Sequence, residues 1–458
     1  MPSPDRIPQA LAAAFRDHPE ATDAPVVIGV SGGIDSMVLV HALAQHGVRG
    51  VIVHVNYGLR DSADSDEALV RRWAAAAVPA WPVHIHKADM LSGNVQEAAR
   101  EVRYAQMAQQ AHQHGSQAVL VAHHQQDQAE TVLLNLLRGA GPKGLAGMPI
   151  ARPLQPNTDI TLLRPLLNVS KSAIRAYAEA HQVPYRTDPT NESTAYRRNR
   201  IRHEVLPLLA DITESAPARL ADTAALMQAY VQQHWQPLID ARMNAGYTDT
   251  PTGGRLSLDV LQEAALVVRT QLCLELLART LPDAPQTRSM AEEIAALVDA
   301  QVGRRVEVAV GTVWRTRTHL EVVADPPEMP TPQSIPLHEA AVSLSTGTLH
   351  VKRTSPPPEA VHLMPPHTAV MDANRLHPPV TVRPWHEGDR LRPLGMQGHV
   401  SVSDVLTNAH VPPHEKPYSL VVEDQKRIVW VVGQRLHHAV RITPETQRAL
   451  VLHWHPNE

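Results

Sequence analysis

Between residues 25 and 140 the apolar positions switch repeatedly between two periods. "PVVIGV" (25–30), "GVIVHVN" (50–56), "WPVHIHKA" (81–88) and "QAVLVAH" (117–123) are short runs rich in β-branched residues, the pattern of buried strands. Between them lie "SMVLVHALAQHG" (36–47), "SDEALVRRWAAAA" (65–77) and "NVQEAAREVRYAQMAQQAHQHG" (94–115), whose apolar residues recur at helical spacing. In the last of these Asn94 and Glu97 form a capping-box-like start, and Gly115 marks the end. Strands alternating with helices predict an α/β, doubly wound parallel sheet, with ligands held beyond the carboxyl ends of its strands.

A further helix, "SKSAIRAYAEAHQ" (170–182), and the arginine-rich "YRRNRIRHEVLPLL" (196–209) close this region. Residues 215–300 read as mostly helical, and "RVEVAVGTVWRTRTHLEVV" (305–323) as a hairpin. The stretch "DPPEMPTPQSIP" (325–336) has the proline content of a linker. Beyond it the strand-like runs "TLHVKRT", "VTVRPW", "YSLVVED" and "RIVWVVG" surround one short helix, "SVSDVLTN". The expected organisation is an α/β domain over 1–212, a mainly helical domain over 213–325, a proline-rich linker over 326–336 and a small α+β domain over 337–458.

Composition narrows the chemistry. The chain of 458 residues carries a formal charge of −4, which speaks against wholesale non-specific nucleic-acid binding but not against a local basic face. Its one cysteine, Cys273, excludes an intramolecular disulfide, a paired-cysteine metal site and a relay between two thiols. Cys273 falls in the helical pattern "VVRTQLCLELLARTL" and reads as an inert core thiol. No apolar run reaches membrane-spanning length and the first 25 residues lack a secretory apolar stretch, so a cytoplasmic enzyme without a membrane partner is expected.

The most informative short stretch is "SGGIDS": Ser31, Gly32, Gly33, Ile34, Asp35 and Ser36, placed between the first strand and the first helix of the alternation. Adjacent glycines let backbone N–H groups converge on an anion at a helix start, and the serines add hydroxyl donors. A Gly-Gly turn alone is common in α/β chains; the full hexapeptide in this context favours phosphate. The lysine of the familiar G-x-x-x-x-G-K-[ST] loop is missing. Asp35 beside phosphate would be repulsive, so it should face Mg²⁺ or an ammonium group.

A second constellation follows the fourth strand. His123 and His124 lie at its carboxyl end, and Asp127 and Glu130 share a face of the next helix. Acids in a first turn can simply offset the helix dipole, but the neighbouring histidines and phosphate loop favour chemistry. Two carboxylates could hold a cationic amine or Mg²⁺. Arg100 reads as an exposed ion-pairing residue and Arg103 as the one reaching phosphate. Arg197, Arg198, Arg200 and Arg202 crowd into six positions, often mere surface charge, but beside such a site suited to RNA phosphates and unpaired bases.

"SGGIDS" resembles the pyrophosphate loop of the N-type ATP pyrophosphatases, an adenine nucleotide alpha hydrolase-like fold. With "HVNYGLR" (54–60), "AREVRY" (99–104), "HHQQDQAETVLLNLLRGAG" (123–141), "RPLL" (164–167), "DPTN" (188–191) and "RRNRIRHEVLP" (197–207), it resembles the tRNA(Ile)-lysidine synthetase branch. The likeness covers residues 26–207 in order and returns weakly in "RPWHEGDRLRPLG", "SVSDVL" and "IVWVVGQRL". It implies an ATP-dependent ligase forming a C–N bond. ATP adenylates C2 of the wobble cytidine of a CAU-anticodon tRNA(Ile), pyrophosphate leaves, and the ε-amine of free L-lysine displaces AMP to give lysidine. By that resemblance residues 31–36 bind ATP, Asp35 is the candidate for Mg²⁺, and Asp35, Asp127 and Glu130 hold lysine or metal. His123 and Arg103 meet transition-state charge, and Arg202 meets phosphate or the flipped base, since a loop base must be splayed out to react. The helical and C-terminal domains are expected to contact tRNA, and a homodimer is compatible. Between Arg383 and Arg441 eight Lys/Arg meet six Asp/Glu and six histidines, so the C-terminal grip on tRNA should be weak at neutral pH. The alternatives are another pyrophosphate-loop amide ligase, which would leave the arginine run unexplained, and a nucleotide-sensing module without chemistry.

Overall fold

The β-branched runs form strands because extended backbone suits their branched side chains and both faces of the sheet are covered. A computed structural model of the chain describes residues 5–57, 63–77, 80–88, 95–155, 158–186, 197–324, 326, 328–357 and 367–457. The expected Asn94 cap, the side chain of Glu97, residues 58–60 of "HVNYGLR" and the whole of "DPTN" lie outside them. The chain separates into two compact units, Met1–Pro237 and Leu238–Glu458, a division that falls inside the segment 213–325 read from sequence as one domain.

In the first unit helix α1 (Arg6–Asp17) precedes the alternation β1 (Val26–Gly29), α2 (Ile34–Gln45), β2 (Gly50–Asn56), α3 (Ala63–Ala76), β3 (Val83–Lys87), α4 (Val95–His114), β4 (Ala118–Leu120) and α5 (Gln125–Leu137). These match the four strands and intervening helices of the sequence reading. A short helix α6 (Pro142–Leu145), strands β5 (Ala151–Pro153) and β6 (Thr161–Leu163) and helix α7 (Lys171–Ala180) follow. The sheet order is β3-β2-β1-β4-β6-β5, parallel except for β5. The order reverses direction at β1/β4, so the segments after these two strands flank the crevice where such sheets bind ligands. Helix α2 is apolar nearly all round: Met37, Val38, Leu39, Val40 and Leu43 are fully buried, each contributing roughly 1.5–3 kcal/mol. Helix α7 buries only Ala173, Ile174, Tyr177 and Ala178, which leaves Lys171 and Arg175 on another face. The arginine-rich segment is helical: α8 (Arg197–Arg200), a π-helical turn over Ile201–Val205, and α9 (Leu206–Ile212). Helix α10 (Ala216–Tyr230) packs against α5.

The second unit begins with the helical region, which also contains a hairpin that its sequence did not announce. β7 (Tyr247–Thr250) and β8 (Gly253–Ser257) join β9 (Arg305–Val308), β10 (Gly311–Arg315) and β11 (His319–Val323) in one antiparallel sheet, order β7-β8-β11-β10-β9. Cys273 is fully buried in the helix Leu266–Thr280, and burial pushes its thiol up to about 12, an inert core residue. The proline-rich stretch ends in a strand, Gln333–Ile335, paired with Val380–Pro384. The strands from Gln333 onward form a five-stranded and a four-stranded sheet around one core that includes Leu349, Val382, Val422, Trp430 and Leu450, and a two-stranded sheet of Arg390–Leu391 with Val400–Ser401. "SVSDVLTN" is the helix Val402–Asn408, capped by Ser401 Oγ accepting from Asp404 N at 3.0 Å. Among the described residues no helix is long and apolar enough to cross a membrane.

Candidate active site

The loop between β1 and α2 is tied into a cradle by its own serines. Ser36 Oγ donates to Gly33 O at 3.0 Å and accepts from Ser31 N at 3.2 Å; Ser31 Oγ lies 3.2 Å from Ser36 Oγ and accepts from Gly33 N at 3.4 Å. Gly32 has φ +85°, a conformation glycine adopts without strain, and an added Cβ would meet the Cβ of Asp66 at 3.4 Å. Its carbonyl accepts from Arg186 N at 3.0 Å, while Arg186 Nε pairs with Asp66 at 2.9 Å. The chain after α7 thus returns to brace the loop.

Asp35, the acid expected to need a cation, has one. Lys171 Nζ, at the start of α7, donates to its two oxygens at 2.5 and 2.7 Å. His124 links this pair to the second constellation: its Nε2 lies 3.7 Å from Asp35 Oδ1 and its Nδ1 3.6 Å from Asp127 Oδ2. Asp35 and Asp127 therefore flank a single buried imidazole. Asp127 Oδ2 also accepts from His124 N at 3.0 Å, so the capping role is real alongside any other.

Asp127 and Glu130 do not stand open. Arg202 donates Nε to Glu130 Oε1 at 2.6 Å, and Nη2 to Asp127 Oδ1 at 3.0 Å and to Glu130 Oε2 at 3.1 Å. Arg198 donates Nε to Glu130 Oε2 at 2.7 Å and Nη2 to Asp127 Oδ1 at 3.2 Å. Two residues that the sequence sends toward phosphate and two acids that it sends toward amine or metal here neutralise one another. The reason is helical spacing: Arg198 and Arg202 are four apart and present one face to the acids of α5. Arg200 instead pairs with Glu204 at 3.2 Å on the surface, and Arg197 is exposed.

Electrostatics follow from burial and these charges. Burial pushes the Asp127 carboxyl up, but His124, Arg198, His123 and the His124 amide outweigh it and hold its pKa at about 2. Burial carries the His123 imidazole down to about 3; Asp127 opposes, and Arg164, Arg198 and Arg100 add to the fall. His123 is therefore neutral at pH 7, and its Nδ1 has no protein partner among the described residues. Burial lowers the Arg202 guanidinium, but its contacts with Glu130 and Asp127 raise it overall.

These groups line one cleft of about 940 Å³ with Ser31, Gly33, Asp35, Ser36, Arg103, His123, Asp127 and Arg202 on its walls. Arg103 reaches it with Nε 3.4 Å from the Tyr57 hydroxyl, whereas Arg100 is exposed and lies over the Tyr104 ring at 5.3 Å. The sequence reading missed Lys171, Arg175 and Arg186, and preferred His123 where His124 makes the bridging contacts. Lys171 lies 136 residues from Asp35, a distance at which only the demand of Asp35 for a cation gave a signal. The acids and bases paired here, Asp35 with Lys171 and Asp127 and Glu130 with Arg198 and Arg202, are groups that can bind phosphate or ammonium by exchanging partners.

Residues 5–209 match the PP-loop domain family, and residues 380–454 match the TilS substrate C-terminal domain. A tRNA(Ile)-lysidine synthase of Parabacteroides distasonis is 31% identical over 446 residues, 94% of this chain and 96% of that one. Its counterpart in Symbiobacterium thermophilum is 31% identical over 439 residues, 89% of each. The tRNA(Ile)-lysidine synthase of Ralstonia nicotianae is 39% identical over 245 residues, 50% of this chain and 51% of its own length. With both ends matched in order and nearly the whole length aligned, the chain belongs to the tRNA(Ile)-lysidine synthase family.

Proposed function

We propose that this chain is an ATP-dependent C–N ligase that converts the wobble cytidine of a CAU-anticodon tRNA(Ile) to lysidine, using free L-lysine. The observation that carries this reading is the cleft in which Asp35 of the serine-tied loop and Asp127 flank one imidazole, His124. A phosphate cradle and a cation-binding acid pair at that separation suit two successive steps on one base.

In the first step the loop 31–36 holds the pyrophosphate end of ATP through backbone N–H groups and the serine hydroxyls. If Mg²⁺ accompanies those phosphates, Asp35 would be the carboxylate to hold it, sharing its oxygens with the Lys171 ammonium, and the ion would add positive charge there. The cytidine C2 oxygen bonds to the α-phosphorus as pyrophosphate leaves. Arg103 and neutral His123 donate hydrogen bonds to the crowded phosphate charge.

In the second step the lysine ammonium exchanges for a guanidinium at Asp127, whose carboxylate stays ionised at any physiological pH. Glu130, fully buried, keeps its arginine and fixes the geometry. The displaced guanidinium then faces AMP or the RNA backbone. Because Asp127 and His123 have pKa values of about 2 and about 3, neither is a strong proton acceptor. They orient the amine, whose proton leaves to solvent; its nitrogen then bonds to C2 as the bond from C2 to the adenylate oxygen breaks and AMP leaves with the electron pair. Arg197 and Arg200, on the exposed side, are proposed RNA phosphate contacts, as is the C-terminal domain. The site of action is the cytoplasm. A homodimer, for which exposed Ile212 and Leu226 offer apolar surface, is testable by light scattering.

The test is incubation with ATP, radiolabelled lysine and CAU-anticodon tRNA(Ile). Label should enter the RNA and pyrophosphate should appear in equal amount. Folded protein that binds ATP but leaves the RNA unlabelled would reject the reading in favour of another pyrophosphate-loop ligase.

A further inference from the structure

Strand β3 is the outer strand of the first unit's sheet, and its sequence "VHIHK" sets histidines where apolar residues are usual. His84 lies beside Val53 of β2, which packs with Met107 and Ala111 of α4, so the His84 ring faces the same helix. His114, the last residue of α4, meets it there: the two Nε2 atoms are 3.1 Å apart, and the rings stand at 64° with centroids 5.2 Å apart. Both side chains are half-buried. Burial and the His114 ring lower the His84 imidazole from its usual range, so at neutral pH it offers a lone pair rather than a charge. A hydrogen bond accounts for the contact, but its spacing allows more. Two nitrogens held by one tetrahedral ion at about 2.0–2.1 Å stand roughly 3.3 Å apart, close to the separation of this pair. Among the described residues no three His, Cys, Asp or Glu side chains are grouped to hold a metal ion, so a third ligand has to be of another kind. Gln110, one turn before His114 on the same helix face, is 6% exposed, and its Oε1 has no protein partner among the described residues. A buried carbonyl oxygen left without a donor is destabilising, and a cation can satisfy it.

We propose that His84, His114 and Gln110 bind one divalent late transition metal ion, Zn²⁺ above all, with water filling the remaining position, and that the ion fastens the outer strand β3 to the end of α4. Neutral imidazoles suit Zn²⁺, Ni²⁺ and Cu²⁺, and oxygen donors complete the shell. Loading replaces the present hydrogen bond: the ring that donates it moves its proton from Nε2 to Nδ1 through water, and both Nε2 lone pairs then face the ion. None of the three residues lines the catalytic cleft, so the site is separate from the ligase chemistry. Its link to that chemistry is mechanical, because α4 also carries Arg103 to the cleft, about three turns before His114.

Equilibrium dialysis of the full chain against ZnCl₂, after metals are stripped with a chelator and without ATP, tests the site. A rival source of zinc binding is the sheet face on which His350, His453 and His455 stand edge to face. The unaltered chain should take up one tight equivalent. His84→Gln and His114→Gln should each weaken it about tenfold or more, and the double variant should fall no further, because both rings serve one ion. Gln110→Leu, which keeps the volume and removes the oxygen, should weaken it about threefold or more. His453→Gln should leave the tight equivalent intact. Zn²⁺ should also raise the thermal midpoint of the unaltered chain but not that of His84→Gln. Should these variants fold poorly, labelling of the unaltered chain with diethyl pyrocarbonate decides: one equivalent of Zn²⁺ should protect His84 and His114 and leave the exposed His112 reactive. Uptake unchanged in His84→Gln, His114→Gln or Gln110→Leu would overturn the proposal. So would additive losses in the double variant, which mean two unrelated one-histidine contacts, and so would loss of the tight equivalent in His453→Gln or labelling of His84 and His114 that Zn²⁺ does not change.

Discussion

Each unit has a cleft of similar volume, about 940 Å³ in the first and about 1060 Å³ in the second, but their buried acids are partnered differently, the second cleft's Arg305–Glu307 pair at 3.0 Å lying between exposed side chains. In the first, acids and bases are matched: Asp35 with Lys171, Asp127 and Glu130 with Arg198 and Arg202. In the second, Glu321 and Arg255 face each other across β11 and β8, yet the nearest base to Glu321 is His414 Nε2 at 3.6 Å. Thr250 Oγ1, Arg255 Nε, Thr346 Oγ1 and His414 Nδ1 on its walls have no protein partner among the described residues. Acid pKa values register the difference: Asp127 is driven down by neighbouring positive charge, while Glu321 is driven up by burial and by Glu415. Matched charge is held ready for a substrate; unmatched burial only resists ionisation. Cleft volume alone would not have separated the two.

Removing Glu130 should have the largest effect. It is fully buried and accepts three guanidinium hydrogen bonds, so Glu130→Ala leaves Arg198 and Arg202 with Asp127 alone as their shared acceptor. The usual loss on breaking a buried pair is ~3–5 kcal/mol; because both arginines are about one-third exposed and can turn to water, we expect ~3 kcal/mol. Urea unfolding measures it, and lysine incorporation should vanish. A loss below ~1 kcal/mol would mean that the matched network does not organise the first cleft.

Asp127→Asn should come next. The carboxyl sits at about 2 in the folded chain against 3.8 when free. Its ionisation therefore stabilises the fold fully above pH ~4, and that contribution is lost as pH falls through about 2. Nearly two pKa units correspond to ~2–3 kcal/mol. The stability gap between the unaltered chain and Asp127→Asn should thus be widest at neutral pH and close toward pH 2, while lysine incorporation falls by more than tenfold. A gap of constant size across that range would assign Asp127 to helix capping alone.

Legibility from sequence divides along the same line. The four strands before residue 124 were readable because β-branched runs between helical stretches are a local pattern, as was the phosphate loop. β5, β6 and the hairpin β7/β8 were not: although β1 and β4 are no longer, segments such as "ARP", "YTDT" and "GGRLS" lack the β-branched apolar run that marks those strands. The acids of "DQAE" and the arginines of "RRNRIR" were each identified, but not their pairing. That pairing depends on the fold bringing α8 against α5 across 68 to 75 residues of chain. Likewise "SGGIDS" announced a missing cation, but only tertiary structure supplies Lys171.

His123 gives a narrower test. With its pKa carried down to about 3, it donates or accepts hydrogen bonds as a neutral ring throughout pH 5–8. His123→Ala should lower kcat by about 10²-fold, the usual effect of one well-placed donor, without changing the shape of the pH–rate profile. A limb near pH 6.5 that disappears in the variant would show that the imidazole titrates during turnover, and that the first cleft is wetter than its charges imply.

The smallest effect should come from Glu321→Gln, which tests the comparison from the other side. Burial and the charge of Glu415 raise the Glu321 pKa above 4.5, with Arg255 opposing. A carboxyl raised on folding is ionised more readily in the unfolded chain, so its contribution to stability declines as pH climbs past 4.5. Glutamine cannot ionise and should remove that decline: the variant should match the unaltered chain near pH 4.5 and exceed it by about 1 kcal/mol or less at pH 7–8. Lysine incorporation should stay within twofold, since Glu321 is not among the residues that line the first cleft. If instead Glu321→Gln cut incorporation tenfold with stability raised, an ionised Glu321 would be required for turnover. The unmatched cleft would then be a second working site, and pairing of charge would no longer tell the two apart.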